Sequence, residues 1–129
     1  MLVIEYSIAP CAFGLGIFTK NHINKGDVVI DADSRLDRVV SFKEIATYSI
    51  PMQKHYLKYG YNGSGKYKMS DCLYYNTCDS RFFNHSDTPN LTYNADLEIY
   101  VAAIDIDAGK ELTCNYNDFC TRGIACFDF

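Results

Sequence analysis

Arg81-Phe82-Phe83-Asn84-His85-Ser86-Asp87-Thr88-Pro89-Asn90 is the stretch on which the reading of this chain turns. A pair of phenylalanines runs into a dense series of short polar side chains. Asn, His and Ser in succession suit an irregular segment held by side-chain hydrogen bonds to backbone, and Pro89 stops any helix there. Taken alone it reads as an Asx-type loop with His85 a structural histidine. A metal role for His85 lacks partners, since His22 and His55 stand at no ligand spacing to it or to a cysteine pair.

Two further segments carry candidate chemistry. Phe13-Gly14-Leu15-Gly16-Ile17-Phe18 offers backbone that a ligand can approach closely. It does not extend to Gly-x-Gly-x-x-Gly, because Thr19 stands where the third glycine belongs, so a dinucleotide fold is disfavoured. Gly109-Lys110-Glu111-Leu112-Thr113-Cys114-Asn115-Tyr116-Asn117-Asp118 reads as a strand entering a polar turn, with Tyr116 at its end. By itself Tyr116 is one of 11 tyrosines and reads as packing.

The chain has 129 residues, 48% hydrophobic and 22% charged, with a net charge of −4. That is globular composition and the length of one domain, so a single domain over 1–129 with a short tail from about 117 is expected. The start carries Glu5 and no basic residue before Lys20, so it reads as a first strand rather than an export signal. Six cysteines and three Asn-x-Ser/Thr sites permit a secreted, disulfide-bonded reading on paper. Without an export signal the expectation is free thiols in a reducing compartment, cytoplasmic or nuclear, and no membrane partner.

Strand-like runs dominate: Leu2–Tyr6, Gly16–Thr19, Asp27–Ile30, Leu97–Ala102 and Glu111–Cys114. Ile23-Asn24-Lys25-Gly26 and Ile106-Asp107-Ala108-Gly109 read as two ordinary turns with Gly supplying positive φ. One helix is expected over Ser41–Tyr48, capped by Ser41 with Glu44 completing a capping box. Pro51 then punctuates, with a further helical turn over 52–57. The middle reads as irregular. Between Gln53 and Lys68 lie four lysines interleaved with Tyr56, Tyr59, Tyr61 and Tyr67 and no acid. Such a pattern can track a nucleic-acid backbone, but a solvated loop whose tyrosines pack on the core is the preferred reading.

Together, Gly-x-Gly-x-Phe, Arg-Phe-x-Asn-His-Ser-x-x-Pro-Asn and Glu-Leu-Thr-x-x-Tyr, in that order, resemble the SET-domain lysine methyltransferases. The resemblance covers roughly Leu2 to Phe119, and the overall size is similar to minimal stand-alone SET domains. It implies a mostly β fold with short helices, in which small curved β-sheets surround a knot-like crossing of the C-terminal segment near the Asn-His motif, an exception to the rule against threaded chains. It further implies S-adenosylmethionine-dependent methyl transfer to the side-chain amine of lysine in a protein substrate, histone or other.

By the same resemblance Gly14, Leu15, Gly16, Asn84 and His85 bind the cofactor, Tyr116 is catalytic and Arg81 braces the region. Phe119 and Cys114 contribute to the substrate channel, with Phe127 and Phe129 as further aromatic candidates. Cys114 stands two before the tyrosine, where relatives often carry Phe or Tyr. The Lys54–Lys68 stretch falls at the family's variable insert, commonly one wall of the substrate groove. Many chromatin members bind zinc through cysteines after the Asn-His-Ser and beyond the tyrosine. Here Asp87 follows Ser86 and only Cys120 and Cys126 follow Tyr116, so no zinc is expected. The tail, a partner or a second copy in a homodimer would close the channel. An inactive SET-like binding module and a small nucleic-acid-binding β domain using Lys54–Lys68 stay open as alternatives.

Overall fold

The computed structural model describes residues 1–120. They form two compact units, one of Met1–Ser34 with Cys78–Asn115, the other of Arg35–Thr77 with the residues from Tyr116.

The first unit holds two small sheets. In the four-stranded one, β1 (Tyr6–Cys11) and β2 (Gly14–Thr19) form an antiparallel hairpin in register from Tyr6 opposite Thr19 to Cys11 opposite Gly14. The expected strand over Leu2–Tyr6 is displaced: Leu2 makes only an isolated bridge to Ile30, and the strand begins at Tyr6. Ala9 and Pro10 are poor strand formers, but β1 lies at the sheet edge, where a missing N–H is tolerated.

β2 continues to β9 (Glu111–Cys114), pairing Ile17 with Leu112, both fully buried. On the far side of β9 lies β6, only Asn84–His85, running parallel with Asn84 opposite Thr113 and His85 opposite Cys114. The pairing of this late strand with the Asn-His segment is consistent with the expected crossing.

The second sheet orders β3 (Val28–Asp31), β8 (Ile99–Ala102) and β7 (Leu91–Asn94). Here β8 starts two residues later than its apolar run suggests. Leu97 sits exposed in the β7–β8 turn, and Glu98 takes a positive φ of 53° there. The two Ile-x-x-Gly turns prove to be partners. Ile23 and Ile106 are both buried and exchange backbone hydrogen bonds of 2.9 and 2.8 Å.

The second unit corrects the expectation of an irregular middle. β4 (Asp37–Ser41) pairs antiparallel with β5 (Cys72–Asn76). The Ser41 hydroxyl accepts from the Glu44 N–H at 3.0 Å, which is the Ser41 half of the expected capping box, but α1 covers only Phe42–Ile45. Conversely α2 runs over Ile50–Tyr59, longer than 52–57, because Pro51 initiates it rather than punctuating. Val40, Ile45, Tyr56 and Leu73 form the core of this unit. Above it Arg38 donates to the Tyr56 hydroxyl at 2.8 Å and pairs with Glu44, which also accepts from the Tyr48 hydroxyl. That phenol and the Arg38 guanidinium hold the Glu44 carboxyl below its usual range.

Candidate functional site

The two glycines of Phe13-Gly14-Leu15-Gly16 do different work. Gly14 closes the β1–β2 turn with φ of 104°, a conformation that side chains rarely adopt, in otherwise open space. Gly16 is ordinary in φ but crowded: a Cβ there would lie 2.3 Å from Glu111 Oε1 and 3.1 Å from Asn84 Nδ2. The bare backbone of β2 therefore lets both side chains close onto it. Leu15 between them is exposed, and its carbonyl accepts from Asn84 Nδ2 at 3.0 Å.

The same Asn84 Nδ2 donates to Glu111 Oε1 at 2.7 Å and lies 3.2 Å from Cys11 Sγ. The first unit thus brings together Gly14, Leu15, Gly16 and Asn84, which the sequence places about 70 residues apart. His85 follows in β6, its Nε2 2.9 Å from Asp87 Oδ1, and the next residue, Ser86, donates its N–H to the Cys114 carbonyl at 3.0 Å.

Asn90, quoted in the motif but given no role from sequence, is what fixes β9. Its Nδ2 donates to the Glu111 carbonyl at 2.8 Å, and its Oδ1 accepts from the Thr113 N–H at 2.9 Å. One side chain thereby imitates a strand neighbour for β9. Glu111 was likewise visible in Glu-Leu-Thr without an assigned role. Arg81 sits with its guanidinium over the Phe82 ring, 4.6 Å from the centroid, and donates to the Cys78 carbonyl at 3.0 Å. The turn carrying it is tied to β1, where the Tyr6 hydroxyl donates to Asp79 Oδ2 at 2.8 Å. That bond, with burial and the negative charge of Asp79, pushes the phenol up to about 12. Cys114 is buried in β9.

Tyr116 and Phe119 fall in the second unit. Tyr116 opens a single 3-10 turn, Tyr116–Asp118. Its ring lies 5.6 Å from that of Phe119, which meets Tyr61 edge-on at 5.1 Å. Tyr61 in turn stacks on Tyr74 at 5.5 Å. Gly63 bridges Cys120, and the Ser64 hydroxyl donates to the Asp118 carbonyl at 2.7 Å, so the 60–67 segment and the turn after Tyr116 are held together. Tyr61 had no distinguishing signal among the tyrosines. Cys126, Phe127 and Phe129 lie outside the described residues.

The basic stretch is not a plain loop. Lys54 and Lys58 ride on α2, Tyr56 is buried in the core, and Tyr61 spends one ring face on Tyr74. Rings committed to one another are poorly placed to stack on bases. Among the described residues no group of three or more His, Cys, Asp or Glu converges as a metal site.

A protein-family model, the SET domain, matches residues 14–117. No curated protein matches the chain. Among solved structures it is similar to an active polycomb repressive complex 2 in the basal state, with 21% identity and a TM-score of 0.60 over 92% of this chain and 16% of that one. It is similar to ctPRC2 in an autoinhibited conformation bound to S-adenosylmethionine, with 20% identity and a TM-score of 0.63 over 92% of this chain and 16% of that one. It is also similar to a Plasmodium falciparum protein provisionally named a histone methyltransferase, with 21% identity and a TM-score of 0.52 over 88% of this chain and 93% of that one. The chain therefore spans about a sixth of the polycomb chains it resembles, and identities this low speak for the fold.

Proposed function

The chain belongs to the SET-domain family, and from that membership we propose that it transfers a methyl group from S-adenosylmethionine to the side-chain amine of a lysine in a protein substrate, a histone or another protein. The family is one of methyltransferases, and a structural neighbour is described with that cofactor bound. The observation that carries the reading is the closure of Asn84 and Glu111 onto the side-chain-free backbone of Gly16. Such a surface, lined by carbonyl and carboxylate oxygens, fits a cationic cofactor with an amino-acid end.

S-adenosylmethionine, when bound, supplies a methyl group on a positively charged sulfur, so no nucleophile on the protein is required. The residues of the chain then have two tasks. Gly14, Leu15 and Gly16 would hold the cofactor through backbone groups, and Asn84 and His85 would hold its adenine and amino-acid ends, so that binding supplies the orientation the transfer needs. Tyr116 orients the incoming amine through its hydroxyl. A free lysine side chain, with pKa about 10.4, is only about one part in 250 neutral at pH 8. An apolar surround formed by Phe119 and Tyr61 disfavours its charged form. The substrate is a protein segment carrying lysine.

Calorimetric titration with S-adenosylmethionine tests the reading. Saturable binding by the wild type that Asn84→Ala weakens is expected, followed by methyl transfer to histones or to proteins of a cell lysate. Absence of binding at millimolar cofactor would refute it.

A further inference from the structure

The Glu111 carboxylate lines the surface described above without a residue-level role of its own, yet it makes the shortest contact to Asn84. Three acceptors surround Asn84 Nδ2: Glu111 Oε1 at 2.7 Å, the Leu15 carbonyl at 3.0 Å and Cys11 Sγ at 3.2 Å. A flipped amide would set Oδ1 against a carboxylate and a carbonyl, so this environment dictates which way the amide points. Oδ1 is thereby turned away from Glu111, and it accepts no hydrogen bond from the described residues. Gly16 is what admits the carboxylate, because a Cβ there would fall 2.3 Å from Oε1.

We propose that Glu111 is a positioning residue for the amino-acid end of the cofactor, acting through Asn84. Its carboxylate locks the amide so that Oδ1 is presented as an acceptor to the α-ammonium group. Its negative charge behind that amide favours an ammonium and disfavours a carboxylate at the same point. The inference rests on the S-adenosylmethionine reading above. It gives the side chain of Gly-Lys-Glu-Leu-Thr a function separate from the backbone pairing of β9, and it explains Gly16 by side-chain closure as well as by ligand approach.

The test compares binding of S-adenosylhomocysteine with binding of its deaminated analogue, by calorimetry, for wild type, Glu111→Ala and Glu111→Gln. Glu111→Ala is expected to weaken S-adenosylhomocysteine about tenfold, the order expected for a lost charge-assisted hydrogen bond, and to leave the deaminated analogue within about twofold. Glu111→Gln keeps an oxygen for Asn84 Nδ2, and a loss of about threefold is expected. Thermal melts of each variant establish that the fold is retained. Equal losses for both ligands, or no loss with either, would overturn the proposal while leaving the cofactor reading intact. A wild type that binds neither ligand would overturn both.

Discussion

Truncating Asn90 to alanine should destabilise the chain more than its half-exposed position suggests. The side chain donates to the Glu111 carbonyl at 2.8 Å, accepts from the Thr113 N–H at 2.9 Å and lies 3.4 Å from the Thr113 hydroxyl. A net contribution of about 1 kcal/mol for each of the two short bonds is the usual magnitude. The alanine variant also strands a backbone donor and a backbone acceptor of β9, both part-buried. Together these give a loss of about 2–3 kcal/mol. With a urea m-value of about 1.5 kcal/mol/M for a chain this size, the unfolding midpoint should fall by about 1.3–2 M. Equilibrium urea unfolding followed by tyrosine fluorescence or circular dichroism reads that shift directly. Thr92→Ala, at an exposed position of the neighbouring β7, is the control and should move the midpoint little. A double-mutant cycle with Thr113→Val should show weak coupling, about 0.5 kcal/mol, because the main partner on that residue is its backbone N–H. An Asn90→Ala midpoint within about 0.3 M of wild type would refute the idea that this side chain stands in for a strand neighbour.

Other outcomes follow from the same geometry. Tyr116→Phe should lower kcat about a hundredfold while leaving S-adenosylmethionine affinity within about twofold; equal loss of both would argue against an orienting role. Gly63→Ala should be far worse than Gly26→Ala, although both glycines have positive φ, 79° and 90°. At Gly63 a Cβ would also sit 2.5 Å from the Tyr67 backbone oxygen, whereas at Gly26 nothing lies within 4 Å. Thermal and urea melts should show a cost of about 1–2 kcal/mol at Gly26 and about 3 kcal/mol or more at Gly63. The Glu44 carboxyl is held below its ordinary value of 4.5 first by the Tyr48 hydroxyl. Its contribution is then present above that value and lost as pH falls through the lower folded one. Glu44→Gln should therefore differ from wild type near pH 7 and converge with it in acid, and a difference independent of pH would count against the assignment.

Legibility in the sequence followed the range of the forces involved. The capping of α1 by the Ser41 hydroxyl was readable because it is settled within one turn of chain, whereas the Glu44 side chain turns to Arg38 and Tyr48 instead of completing the box. The two Ile-x-x-Gly turns were readable as turns, but nothing local says that Ile23 and Ile106 pair with each other. β4 escaped notice because Asp37 and Arg38 dilute its apolar pattern, and what makes it a strand is β5 beside it and Leu73 against Val40. β1 was misplaced for a related reason, since Leu2-Val3-Ile4 has the stronger intrinsic preference and the hairpin register favours Tyr6–Cys11.

The motifs themselves, Gly14-Leu15-Gly16, Asn84-His85 and Tyr116, were plain in the residue types and their order, and the SET-domain family match covers all of them. That much the amino-acid sequence determined unaided, along with the mostly β character of the chain. Only the tertiary structure decided that a two-residue parallel strand sets Asn84 against Gly16. It alone showed that the Glu111 side chain on β9 holds Asn84 while Asn90 holds the backbone of β9, and that Tyr61 meets Phe119. The physical reason is that a residue's type constrains its own backbone and its immediate neighbours. Which distant hydrogen-bonding groups it satisfies is set by strand pairing across long loops, and no local pattern encodes that.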